Sequence, residues 1–196
     1  QPDIVITSTI FTKEMVQKLE EAGVKVAIFH AEKNFEGVFD IIEKIGLLLN
    51  AKDKADSVVA EMKGKIELVE SKVNGLEKPS VYYVMGFGEF GDYTAGRDTF
   101  ISRMIEMAGG KNAADDVEGW KYNIESLLEK DPDILICSKF YDSKAGIQNA
   151  DGYKELSAVK GGKLFEIDNN ILDRQGPRLA DGLLELAQII HPEAFQ

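Results

Sequence analysis

The apolar positions alternate between short runs and helical stripes. DIVITS (3–8) and VKVAIF (24–29) read as strands. Between them, Thr12 opens a helical pattern carrying Met15 and Leu19, which Gly23 stops. Strand, helix, strand in that order predicts a parallel pair with a right-handed crossover. Asn34 then caps a predicted helix over 35–50, with Phe35, Val38, Phe39, Ile42, Ile45 and Leu49 on one stripe. A second helix is predicted over 53–74, its apolar face built from Val58, Val59, Met62, Ile66, Val69 and Val73. At about 1.5 Å per residue it spans roughly 30 Å, enough to connect two lobes. Gly75 and Pro79 close it.

From Ser80 the pattern starts again. VYYVM reads as a strand, GFGEFGDY as a glycine-rich turn, and TAGRDTFISRMIEMAGG as a capped helix ending at Gly109-Gly110. KNAADDVEGW reads as a loop, IESLLEK as a helix stopped by Asp131-Pro132, and DILIC as a buried strand. Residues 138–159 are helical in part. KLFEI is the last strand, followed by the loop DNNILDRQGPR with Pro177 at a helix start and a final helix over about 178–190, ended by His191-Pro192. Pro132-Asp133-Ile134-Leu135-Ile136 echoes Pro2-Asp3-Ile4-Val5-Ile6. The echo predicts two similar α/β lobes, 1–52 and 77–196, joined by the helix region 53–76. The second copy has a helix before it and the first has only Gln1, so the chain is expected to begin inside its first lobe.

Composition narrows the function. Of 196 residues 44% are hydrophobic and 29% charged, which suits a packed core rather than disorder. A net charge of -11 argues against a nucleic-acid surface. Cys137 is the single cysteine, in an apolar strand, and reads as a buried inert thiol. No apolar run approaches the roughly 18–20 residues of a membrane span.

Candidate chemistry is sparse. Gly86, Gly88 and Gly91 have dinucleotide-loop spacing, but that motif needs a helix opening at the third glycine, and Glu89 and Asp92 would repel a phosphate. His30 and His191 have no ligand partners at metal spacing. No nucleophile–base set stands out, so neither a catalytic residue, a metal nor a cofactor is expected. Trp120, alone of its kind, lies in a polar loop where it either covers the sheet edge or offers a platform to a flat ligand. Phe87, Phe90 and Tyr93 lie on another loop at the same expected end of the sheet. Arg97, Arg174 and Arg178 are available donors for an anion, or plain surface charges. Glu125 sits in the first turn of its helix, where a carboxylate is favoured by the dipole.

PDIVI, the 53–74 helix, TAGRDTFISRMIEMAGGKNAA, the Trp120 loop, ESLLEKDPDILI and RQGPRLADGLLELAQIIHPEAF together give a resemblance that covers essentially the whole chain. The chain resembles the ABC-transporter substrate-binding proteins of the helical-backbone class, which carry iron–siderophore, haem or cobalamin. The resemblance implies two Rossmann-like lobes with parallel-rich central sheets, one long joining helix, and a cleft that holds cargo. It implies an extracytoplasmic monomer, periplasmic or lipid-anchored, that docks on membrane permease subunits and has no enzymatic activity. It implies that part of the N-terminal lobe precedes Gln1. Glu125 matches the C-lobe acid that meets permease arginines. Trp120 matches a cleft tryptophan of cobalamin binders. Met85 matches an aromatic cleft position there, and Ile171 a position that is tryptophan in some. Arg174 lies in the matching cleft loop. The two departures, Met85 and Ile171, favour an iron complex over cobalamin as cargo. An enzyme working through the 86–92 loop and a cargo-free adaptor are the rival readings.

Overall fold

The structure, a computed structural model, describes residues 2–8 and 10–196, apart from the Phe90 side chain. The chain opens with β1 (Ile4–Ser8), α1 (Lys13–Glu21) and β2 (Lys25–Phe29). β1 and β2 pair in parallel from Ile4–Lys25 to Ser8–Phe29. Thr12 Oγ1 accepts from the Met15 amide, so the cap is the expected one. Next come α2 (Phe35–Leu48) and α3 (Lys52–Val73). Asn34 Oδ1 accepts from the Gly37 amide at 2.9 Å and starts α2. The predicted stripe of α3 is the buried one, with Val59, Met62, Ile66 and Val69 inside.

The second sheet is built from β3 (Ser80–Val84), α4 (Phe100–Met107), β4 (Lys111–Asn112), α5 (Ile124–Lys130) and β5 (Ile134–Ser138). It is completed by α6 (Ser143–Asn149), α7 (Ser157–Lys160), β6 (Leu164–Ile167), α8 (Asn170–Asp173) and α9 (Leu179–Ile190). Its order is β4-β3-β5-β6, all parallel. Both faces are covered, as parallel sheets require. Val81, Tyr83, Ile134 and Ile136 point to one core with α3, α4 and α9. Tyr82, Val84, Leu135 and Cys137 point to the other, with Leu127, Ile147, Tyr153 and Leu156. The fold is therefore α/β with parallel sheets, as expected.

Three local expectations are corrected. KN at 111–112 is a strand, not loop, because its backbone finds β3: Lys111 N donates to Pro79 O and Ala113 N to Val81 O. The helix ending at Met107 starts only at Phe100, where Thr99 Oγ1 accepts from Ser102 N. TAGRD stays outside the helix, with the amides of Thr94, Gly96 and Arg97 donating to Trp120 O, Gly119 O and Val117 O. Pro177 precedes α9 by two residues, and Arg178 is the residue that flanks the helix.

The Gly109-Gly110 and His191 phrases meet in the core. Gly109 has φ +85°, and a Cβ there would come within 2.6 Å of the His191 ring. His191 is buried at the end of α9, with Nε2 3.0 Å from Gly109 O. These phrases hold α4 against α9.

Candidate functional site

The chain leaves β3 for β4 on one side, then returns to β5 on the other, so the winding reverses between β3 and β5. In open α/β sheets the crevice at the carboxyl ends flanking such a reversal is the favoured ligand position. Met85 follows β3 there, exposed at 45%.

Around Met85 three segments lock together through their backbones. Met85 N and Gly86 N donate to Tyr93 O, and Tyr93 N donates to Gly86 O. Thr94 N donates to Trp120 O, Gly96 N to Gly119 O, Arg97 N to Val117 O, and Tyr122 N to Asp92 O. The result is a laddered rim that brings Met85, Tyr93 and Trp120 together. Trp120 is 45% exposed on it. The glycine loop makes a single 3-10 turn, Gly88–Phe90, and no helix opens at Gly91. The phosphate-loop reading of these glycines therefore has no helix to stand on.

Side chains pin the rim to the sheet. Buried Asn112 donates from Nδ2 to Ala95 O and Ser102 Oγ, both at 2.7 Å, and accepts from Ala114 N. Tyr153 Oη donates to Asp92 Oδ1 at 2.9 Å. Burial pushes the Tyr153 phenol far above its ordinary pKa, so it stays a donor. Lys130 Nζ donates to Ala113 O at 2.7 Å and Asp116 Oδ1 at 2.6 Å. Partial burial works to raise the Asp116 pKa, but the hydrogen bond and charge of Lys130, a backbone hydrogen bond and the Tyr122 hydroxyl together outweigh it and hold the carboxyl below its usual range. Arg97 donates to Asp116 O and Glu118 Oε1, so this cation is engaged in the loop and is not a free donor.

The remaining candidates lie as follows. Phe87 packs its ring on Tyr153, centroids 6.0 Å apart, and on the backbone of Gly146. The Phe90 side chain lies outside the described residues. Ile171 is buried in the first core cluster. Arg174 is exposed, with no ion-pair partner among the described residues. Glu125 is exposed in the first turn of α5, likewise unpaired among the described residues. Cys137 is buried, and burial pushes its thiol up to about 11.

Sequence reasoning missed two features at this edge. Gln175 reaches across 143 positions to Glu32: it accepts from the Glu32 amide at 2.6 Å and donates to its carbonyl at 2.7 Å. After β5, the Phe140-Tyr141 pair stands at the carboxyl end of a central strand, and Tyr141 is 98% exposed. Neither carries a periodic signal; only the aromatic pair just past DILIC hinted at the second. Two cavities of about 480 Å³ lie elsewhere, and no rim residue lines either. Among the described residues no cluster of three or more His, Cys, Asp or Glu is placed to hold a metal. No helix among them is long and apolar enough to cross a membrane.

Known proteins show the same architecture. The chain is 31% identical over 203 residues to the uncharacterized ABC transporter substrate-binding lipoprotein YvrC of Bacillus subtilis (strain 168), covering 100% of this chain and 64% of that protein. It is 27% identical over 201 residues to a cobalamin-binding protein of Halobacterium salinarum, covering 97% of this chain and 53% of that protein. The chain thus spans between about half and two thirds of these curated relatives. A crystal structure of a possible iron-binding (periplasmic solute-binding) protein from Staphylococcus epidermidis superposes with a TM-score of 0.83 at 29% identity, over 97% of this chain and 76% of that one. The family model described as "Periplasmic binding protein" matches residues 1–171, and the chain belongs to that family.

Proposed function

We propose that this chain is part of the extracytoplasmic solute-binding component of an ABC importer, with an iron complex of the siderophore type as its cargo. In this reading residues 1–52 belong to one lobe, 53–76 form the connecting helix region, and 77–196 form the second lobe. The observation that carries it is the laddered rim at the winding reversal. It presents the apolar surfaces of Trp120 and Met85 at the carboxyl edge of the sheet, where the 168–178 loop also carries Arg174, a cation without a partner among the described residues. An apolar face with a guanidinium at its edge suits a chelate that has an organic body and anionic oxygens. The rim is held by backbone bonds and buried anchors, so capture orders little, which limits the entropic penalty of binding. Tyr93 contributes to the same rim; Phe87 packs on Tyr153, whose hydroxyl holds Asp92, and Ile171 is buried in the first core cluster.

Delivery rests on Glu125. Its exposed carboxylate has no partner within the described chain, and an acid facing permease arginines sets orientation and on-rate more than affinity. The protein acts as a monomer with no catalytic step. A corrinoid or haem is the second reading, favoured by the exposed Trp120 and by the cobalamin-binding relative.

The test is a titration of the full-length protein with ferrichrome, haemin and cyanocobalamin, followed by Trp120 emission and by thermal shift, since a bound ligand raises the melting temperature. Saturable quenching with a shift for ferrichrome supports the iron-complex reading. A response confined to haemin or cyanocobalamin replaces the cargo, and no response to any of the three sinks the importer reading. Glu125→Ala should leave titration unchanged and impair uptake by cells; normal uptake removes the docking role.

A further inference from the structure

Tyr141 has two features that do not belong together in a structural residue. Its side chain is 98% exposed, so it contributes nothing to either core. Its backbone is left-handed, φ +61°, and so is that of Asp142, φ +51°. Two successive non-glycine residues there are unusual, and for a bulky aromatic the conformation is a clear outlier.

The turn is nonetheless tightly determined. Lys139 N donates to Ile167 O, and Phe140 N to Ser138 Oγ. Ser138 Oγ donates to Asn169 Oδ1, and Ser143 Oγ to Phe140 O at 2.7 Å. Lys139 Nζ is neutralised by Asp168 Oδ2 at 2.9 Å and lies 5.4 Å from the centroid of the Phe140 ring. Phe140 meets Tyr141 edge to face at 6.4 Å. These hydrogen bonds and the ion pair hold the turn in place without the Tyr141 side chain, whose one ring contact is with Phe140 next to it. Backbone strain that the surroundings maintain gathers at ligand clamps.

Position supplies the rest. β5 lies beside β3, with Val84 opposite Cys137, so Met85 and Ser138 are neighbours across the winding reversal. The rim rises on the β3 side and the 140–142 turn on the β5 side.

We infer that Tyr141, backed by Phe140, is a cargo-contacting residue that closes the β5 side of the cleft opposite the Trp120 rim, stacking on the flat or apolar face of a metal chelate. This rests on the solute-binding reading above. An aromatic ring held ready in an unfavourable backbone loses little freedom on contact, so the strain is carried by the empty protein rather than added on binding.

The experiment compares Tyr141→Gly, Tyr141→Phe and the unaltered full-length protein, with ferrichrome, haemin and cyanocobalamin as probes. Glycine is at ease at positive φ. Tyr141→Gly is expected to raise the melting temperature of the ligand-free protein. It should also weaken binding of the responding probe by about 10-fold or more. Tyr141→Phe keeps the ring and should bind within about 3-fold of the unaltered protein. Equal binding by Tyr141→Gly and the unaltered protein overturns this inference and leaves the importer reading intact. Reduced uptake with unchanged binding also overturns it, placing Tyr141 at the permease face. Failure of the unaltered protein to bind any probe overturns both readings.

Discussion

The double hydrogen bond between Gln175 and Glu32 allows a quantitative forecast. It ties the 168–178 loop, which carries Arg174, to the segment between β2 and α2. Gln175→Met keeps an unbranched stem of similar length and removes both the donor and the acceptor. Two neutral hydrogen bonds are worth roughly 0.5–1.5 kcal/mol each, so about 1–3 kcal/mol is at stake. Both residues are half-buried, and water can reach the orphaned Glu32 amide and carbonyl. Releasing a glutamine side chain also returns up to about 1.5–2 kcal/mol of rotamer entropy. The net global loss is therefore about 1 kcal/mol, a fall of roughly 2–4 °C in melting temperature for a protein of this size or larger.

The local effect should be larger than the global one. The Glu32 amide has Gln175 Oε1 as its acceptor, so exchange at that position follows local opening rather than global unfolding. Hydrogen exchange of peptides covering 30–34 should accelerate about 5-fold or more in Gln175→Met, since roughly 1 kcal/mol is a factor of about five. Arg174→Ala, one residue away and without a partner among the described residues, should leave that exchange rate alone. If Glu32 exchanges equally fast in the unaltered protein and in Gln175→Met, the clasp does not hold the two segments together.

Three further outcomes follow from the anchors of the rim. Tyr153→Phe removes the donor to Asp92 and should destabilise by about 1–2 kcal/mol with a change in Trp120 emission, because Tyr122 N and Asp92 O continue the same ladder; an unchanged melt and spectrum would refute the anchoring role. Lys130→Met should cost about 0.5–1 kcal/mol, since the pair is partly exposed. The Asp116 pKa is depressed, so its contribution is present above the ordinary value of 3.8 and is lost as pH falls through the lower folded value. The stability gap between the two proteins should therefore hold at neutral pH and narrow in acid, and a gap that widened below pH 4 would contradict it. Cys137, with its thiol pushed up to about 11 and buried, should react with a disulfide reagent at pH 8 about 100-fold slower in the folded protein than in urea; rapid native labelling would contradict the burial.

The regular elements were legible because their signals are periodic. The α3 stripe, the Asn34 and Thr12 caps and the DILIC and VYYVM strands each state their structure locally. The rim was legible only as a set of aromatics on loops. Its ladder joins 85–86, 92–97 and 117–122, and backbone bonds between polar, glycine-rich segments leave no residue pattern to read. β4 is two residues long, below any period. The Tyr141–Asp142 turn has no glycine to announce its positive φ, and Gln175 finds a partner 143 positions away. The AGG-x-N phrase was visible, yet its work is structural: Gly109 admits the His191 ring, and Asn112 fastens the rim to α4.

The anchors also constrain how a loaded protein could be told from an empty one. Trp120 and Glu125 are five positions apart, and α5 follows directly from the rim. Lys130, at the far end of α5, reaches back to Ala113 O and Asp116 at the root of the same loop. The loop and the helix are thus closed on each other at both ends. On the proposed function, the docking acid is held at a fixed distance from the rim that meets the cargo. A rearrangement confined to α5 would have to break the Lys130 contacts and strain the Thr94–Trp120 and Tyr122–Asp92 bonds together. On the same reading, loading is more economically reported by the spacing between the 168–178 loop and the segment around Glu32, which Gln175 connects. Loosening that clasp should then alter transport more than it alters cargo affinity, whereas loosening the rim at Lys130 should do the reverse.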